Sequence, residues 1–144
     1  MVSFLTLQEF FKMKTLVTGG CGFIASHLVD RLVQDGNEVV IIDNLSSGNI
    51  KNIEQHKGNP KVQFHHADIA EYDKILPLFK GVSHVYHLAA LADIVPSIER
   101  PMAYHRSNVD GTISVLESCR HNNVKRVIYA ASSSCYGIPD KYPT

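Results

Sequence analysis

LVTGGCGFIASH, residues 16–27, sets Gly19, Gly20 and Gly22 where a short apolar run ends and helical spacing begins. A strand that turns directly into a helix leaves the first helical N–H groups unpaired and aims them, with the positive end of the helix dipole, at one point. That point suits an anion. Glycine lets the backbone turn sharply and removes the Cβ that would hold a phosphate away, and a small residue at position 25 lets helix and strand approach closely. Gly19, Gly22 and Ala25 spell the pattern G-x-x-G-x-x-A.

The rest of the chain repeats the same alternation. TLVT (15–18), EVVII (38–42), VQFHH (62–66), HVYHL (84–88) and RVIYA (126–130) are short, rich in β-branched or aromatic residues and bounded by polar or turn residues, which predicts five strands. Between them Ile24, Leu28 and Leu32, then Tyr72, Ile75, Leu76 and Phe79, then Val109, Ile113 and Leu116 keep the spacing of a helix face. Strands alternating with helices predict an α/β fold, a Rossmann-type doubly wound parallel sheet of order 3-2-1-4-5. Its ligand groove should lie where the order reverses, between the first and fourth strands. Pro77 should kink or shorten the helix it interrupts. NLSSGNIKNIEQHKGNP (44–60) reads as a loop with about one helical turn.

Composition narrows the classes of function. The 144 residues are 44% hydrophobic with 14 basic and 14 acidic side chains, so a single-domain core is affordable and no one-sided basic field points to nucleic acid or a membrane surface. No run approaches the roughly 18 apolar residues of a membrane span. Residues 1–12 lack the parts of a signal peptide and are expected to be a peripheral extension of a domain covering 13–144. Cys21, Cys119 and Cys135 are odd in number and lack zinc-ligand spacing, which fits a reducing compartment without a disulfide. Neither the adjacent pair His65–His66 nor the pair His84 and His87 has a spacing that converges on one strand face, so no metal is expected. Arg100 reads as a surface cation.

Asp43 ends the second strand 21 residues after Gly22, close to the ~20 expected for a carboxylate that accepts from a nucleotide ribose. It would repel a 2′-phosphate, and no Lys or Arg follows it before Lys51. The expected cofactor is NAD rather than NADP.

TGGCGFIASH, IIDNLSSG, HADI, HLAA, NVDGT and YAASSSCYG, taken together over about residues 14–140, resemble the extended short-chain dehydrogenase/reductase family. The resemblance is to its NAD-dependent nucleotide-sugar epimerases and dehydratases, most of all those acting at C4 of UDP-hexoses and UDP-N-acetylhexosamines. It implies that Phe23, Ile24 and Asn44 join Gly19, Gly22 and Asp43 around the cofactor. Asp68 and Ile69 would flank the adenine, and Leu88, Ala89 and Ala90 would line the nicotinamide side. Asn108 matches a buried Asn of the family, either at the cofactor or as a helix-packing amide. Ser132, four positions before Tyr136, would hydrogen-bond the sugar hydroxyl being oxidised, with Ser133 and Ser134 on the substrate. The family's 4,6-dehydratases carry an Asp-Glu pair at those last two positions, so the serines favour epimerisation. The resemblance also implies a cytoplasmic homodimer.

The family's Tyr-x-x-x-Lys pair, in which the lysine lowers the pKa of a tyrosine base, is missing. None of the six tyrosines has a lysine four positions on. The expectation is therefore the amino-terminal part of a nucleotide-sugar epimerase, inactive alone. The alternatives are a dehydratase or related sugar-modifying parent, or a chain that binds the dinucleotide without turnover.

Overall fold

The structure, a computed structural model, describes residues 13–132 together with 137 and 138. Its elements are β1 (Lys14–Thr18), α1 (Phe23–Gln34), β2 (Glu38–Asp43), a 3-10 segment Ile50–His56, β3 (Val62–His66), α2 (Tyr72–Ile75), a second 3-10 segment Leu76–Phe79, β4 (His84–His87), α3 (Ile94–Glu99), α4 (Pro101–His105), a π-helical turn Arg106–Asp110, α5 (Gly111–His121) and β5 (Arg126–Tyr129). The sheet order is β3-β2-β1-β4-β5, and every neighbouring pair is parallel. This is the expected Rossmann-type topology, with β1 at its centre.

Parallel sheets are covered on both faces, so their strands are apolar on both sides. Leu16, Val40, Ile42 and Val85 point into one cluster with Ile75, Phe79, Val115 and Cys119. Their chain neighbours Val17, Val39 and Ile41 point into the opposite cluster with Ala25, Val29, Leu32 and Ile53. The strand period of two divides the core between the two helical layers.

α1, α2 and α5 lie where the sequence predicts helices, it predicts neither α3 nor α4, and the buried faces of α1 and α5 differ from the expected ones. On α1 the sheet side is Ala25, Val29 and Leu32, while Ile24 is 71% exposed in the first turn. On α5 the residues turned to the sheet are Gly111, Ser114, Val115, Ser118 and Cys119. The stripe Val109, Ile113 and Leu116 lies outward and exposed. Periodicity identifies a helix but not which of two stripes faces the core, and small residues let α5 lie close to its neighbours. Pro77 acts as expected: α2 stops after Ile75 and the chain continues as a 3-10 turn with the proline in its first positions. The 44–60 loop holds more helix than expected, seven residues of 3-10, started by Asn49 Oδ1 accepting from the Lys51 N–H.

Among the described residues no helix is long and apolar enough to cross a membrane. Cys21 and Cys119 are free and buried, and Cys135 lies outside the described residues.

Candidate functional site

The carboxyl ends of β1, β2 and β4 open on a cavity of about 390 Å³, at the point where the strand order reverses. The glycine turn forms its floor. Gly19 has φ +70°, and a Cβ there would lie 2.8 Å from the Cα of Ala89, so only glycine brings β1 this close to the segment after β4. The Gly22 N–H donates to the Gly19 carbonyl at 2.9 Å, and Gly22 is the N-cap of α1. No side chain caps this helix and no acidic residue stands in its first turn, so its leading N–H groups have no competing anion. Gly22, Phe23, Ile24 and Ala25 all line the cavity.

Asp43 closes the adjacent wall. It is 7% exposed, with Oδ2 accepting from the Cys21 N–H at 2.9 Å and Oδ1 from the Leu45 N–H at 2.7 Å. These bonds tie the end of β2 to the glycine turn and hold Leu45 at φ +57°. A carboxylate offers about four acceptor positions, so capacity remains for hydroxyl groups in the cavity. Among the described residues Asp43 is the single charged side chain in the lining. Burial, then the charge of Asp43, pushes the Cys21 thiol up to about 12, so it stays protonated and unreactive.

The remaining expectations divide. Asn44, Ile69, Leu88, Ala89 and Ala90 line the cavity with Gly19, Gly22, Phe23, Ile24 and Asp43. Asp68 does not: its Oδ1 accepts from the Ala70 N–H at 2.9 Å, its Oδ2 lies 3.7 Å from Arg106 Nη2, and its neighbours Ala67 and Ile69 form the wall instead. Asn108 is also outside the lining. Its Oδ1 accepts from the Leu91 N–H and its Nδ2 donates to the Leu91 carbonyl, both at 2.8 Å. Ser132 is exposed just beyond β5. Ser133, Ser134 and Tyr136 lie outside the described residues.

Sequence reasoning missed Ser46, Ser47 and Gly48, which complete the wall beside Asp43, and Ser107, which reaches the cavity from the π-turn. The first three carried a readable signal, because Asn44 Oδ1 accepts from the Ser46 N–H at 3.0 Å in an Asx turn that N-x-S permits. Gly48 is needed there: a Cβ would stand 3.0 Å from Asp43 Oδ2 and from Cys21 Cβ. Ser107 had no such signal, since nothing in RSNVD announces a π-turn. Among the described residues no three His, Cys, Asp or Glu side chains gather as metal ligands.

Residues 15–144 match the model of the NAD dependent epimerase/dehydratase family. A putative UDP-glucose 4-epimerase of Methanocaldococcus jannaschii is 42% identical over 130 residues, which are 89% of this chain and 41% of that protein. Among solved structures, a UDP-N-acetylglucosamine 4-epimerase from Methanobrevibacter ruminantium in complex with UDP-N-acetylmuramic acid is 38% identical with a TM-score of 0.84, covering 92% of this chain and 42% of that one. A UDP-glucose 4-epimerase from Brucella ovis in complex with NAD is 34% identical with a TM-score of 0.81, covering 91% and 39%. The chain spans about two fifths of the length of the curated relatives it matches.

Proposed function

The chain belongs to the NAD dependent epimerase/dehydratase family, and on that premise we propose that its cavity takes NAD and that the whole protein inverts C4 of a UDP-hexose or UDP-N-acetylhexosamine through a 4-keto sugar. The observation that carries the reading is the uncapped start of α1, aimed over a glycine turn into a cavity whose one charged lining side chain, among the described residues, is Asp43. When bound, NAD would supply a reversible hydride acceptor for the sugar C4. The residues fit it. The first N–H groups of α1 hold the diphosphate without a basic side chain. Asp43 accepts from the adenosine ribose, Ala67 and Ile69 give the adenine an apolar wall, and Leu88, Ala89 and Ala90 let the nicotinamide half lie against the backbone. Asp68 and Asn108 act one layer back, on the turn at Ala70 and on Leu91.

Ser132 hydrogen-bonds the sugar hydroxyl, as donor to the ketone and acceptor from the alcohol, with Ser133 and Ser134 beside it on the substrate. Those two serines support epimerisation over dehydration, because eliminating water needs a carboxylic acid and a base. The longer protein works as a cytoplasmic homodimer, in keeping with the free thiols of Cys21 and Cys119 and the outward apolar stripe of α5.

Calorimetric titration tests the site. NAD should bind more tightly than NADP, and Asp43→Asn, which keeps one acceptor for the loop, should narrow that difference; equal affinity of the unaltered chain for both would overturn the assignment. The 144-residue chain by itself should not turn over. Without a tyrosine base the sugar proton has no acceptor, and such assistance contributes about 10²–10⁴-fold. Interconversion of UDP-glucose and UDP-galactose, or of their N-acetylated forms, by this chain would show that another base inside it serves.

A further inference from the structure

Behind the cavity wall lies a polar chain whose direction is set by one carbonyl. Thr112 Oγ1, on α5, stands 2.7 Å from the Asn108 carbonyl oxygen, which can only accept. The single hydroxyl hydrogen of Thr112 is thereby committed. At 2.9 Å from His87 Nε2 the same oxygen must accept, so Nε2 carries the hydrogen. His87 is 1% exposed, and burial holds its pKa down at about 4, so the ring is neutral at pH 7 and Nδ1 is bare. Thr18 Oγ1, 2.7 Å away, therefore donates to Nδ1. Its two lone pairs are left for the N–H groups of Leu88 and Ala89, both at 3.2 Å. The series runs in one direction from the Asn108 carbonyl to Thr18, and because the Leu88 N–H divides between Thr18 Oγ1 and the Thr18 carbonyl at 3.3 Å, the Ala89 N–H is the clearer probe of the hydroxyl.

Both ends of the wall after β4 trace back to a single residue of the π-turn. The Asn108 carbonyl anchors the series that ends on Leu88 and Ala89, while the Asn108 amide takes both backbone groups of Leu91. The tolerance there is small. A Cβ at position 19 would lie 2.8 Å from the Ala89 Cα, so the backbone after β4 packs directly on the glycine turn that floors the groove.

We propose that His87 is a positioning residue for this groove: fixed as the Nε2–H tautomer between Thr112 and Thr18, it transmits the anchorage of the π-turn to the backbone of Leu88 and Ala89. The role in cofactor binding rests on the reading of the groove as the dinucleotide site. The groups packed around the ring come from β1 (Thr18), α5 (Thr112) and β5, whose Tyr129 stacks on it at 5.5 Å between centroids. Of these only Tyr129 carries an ionisable group.

The full chain tests this by NMR without ligand. The His87 ring nitrogens should report an Nε2–H tautomer at pH 7; an Nδ1–H tautomer or a protonated ring overturns the proposal. Thr18→Val and Thr112→Val keep the side-chain shape and remove the hydroxyl. Each should speed hydrogen exchange of the Ala89 amide about tenfold, the scale of one net hydrogen bond, while Val40 and Ile41 in β2 stay as they were. Thr18→Ser and Thr112→Ser should restore slow exchange. Exchange that is unchanged at Ala89, or that rises equally across the sheet, overturns it. NAD titration is the separate arm: the valine variants should bind more weakly and the serine variants should recover, and valine variants that bind as tightly as the unaltered chain would remove the groove from the role. An unaltered chain that binds no NAD would instead overturn the cofactor reading, and the tautomer and exchange results would still decide the series.

Discussion

His87 is a buried polar side chain behind the cavity wall, and its burial ties the fold to pH. Among the described residues no charged group contributes to the shift of His87, and burial lowers its pKa from 6.5 to about 4. The unfolded chain takes up this proton between those values and the folded chain does not. The stability it contributes is therefore complete above pH 6.5 and is lost as pH falls toward 4, about 3 kcal/mol for a shift of this size. His65 shifts in the same direction, through burial and then the charge of Lys14, and steepens the same window. We expect the His87 ring signals to stay those of the neutral form down to about pH 5; a midpoint near 6.5 would mean that the ring is hydrated. The position of Asp43 in the cavity wall was legible in the sequence because it ends a strand that lies beside a glycine turn. Asp68 and Asn108 were less so, because the direction of their side chains is decided by the Ala70 N–H and by Leu91. The Thr18–His87 bond joins positions 69 apart and left no trace in any local pattern.

At the scale of elements, strands were easy to read and helix faces were not. VQFHH is β3 residue for residue, and the other four strands differ from their readings by a residue at one or both ends. A strand buried on both sides announces itself by a continuous apolar run. Over the π-turn and α5 the eye is drawn to Val109, Ile113 and Leu116, whereas the packed side of α5 carries Gly111 and two serines. Gly111 shows why that side is small: an added Cβ would lie 2.7 Å from Ile69 Cδ1 and 2.8 Å from Cγ1. Ile69 is both core and cavity wall. Gly111→Ala gains up to ~1 kcal/mol of helix propensity but overpacks a filled site, which costs about 1–3 kcal/mol. The second effect should win. We expect net destabilisation by about 1 kcal/mol in urea unfolding, with weaker NAD binding as Ile69 is pushed toward the groove; a more stable variant would show that Ile69 has another rotamer available.

The whole molecule carries a large apolar surface. Ile94, Val95, Ile98 and Met102 on α3 and α4 are 63–78% exposed, and Val109, Ile113 and Leu116 add the outward stripe that continues into α5. Exposed patches of this kind mark association surfaces. The chain should self-associate at micromolar concentration in sedimentation experiments, and Ile113→Glu with Leu116→Lys should shift it toward monomer. Since both positions are solvent-facing, thermal stability should change by no more than about 0.5 kcal/mol each; a stability loss several times larger would place the stripe inside the fold. The sheet's topology has a further consequence for synthesis. β1 precedes the other four described strands and is also the central one, and while Thr15 meets Val39 early, its other neighbour is His84. A nascent chain leaving the ribosome amino end first must keep one edge of its central strand open until β4 emerges. Parallel pairings of such separation form slowly, and the open edge is what a chaperone would have to shield in the interval.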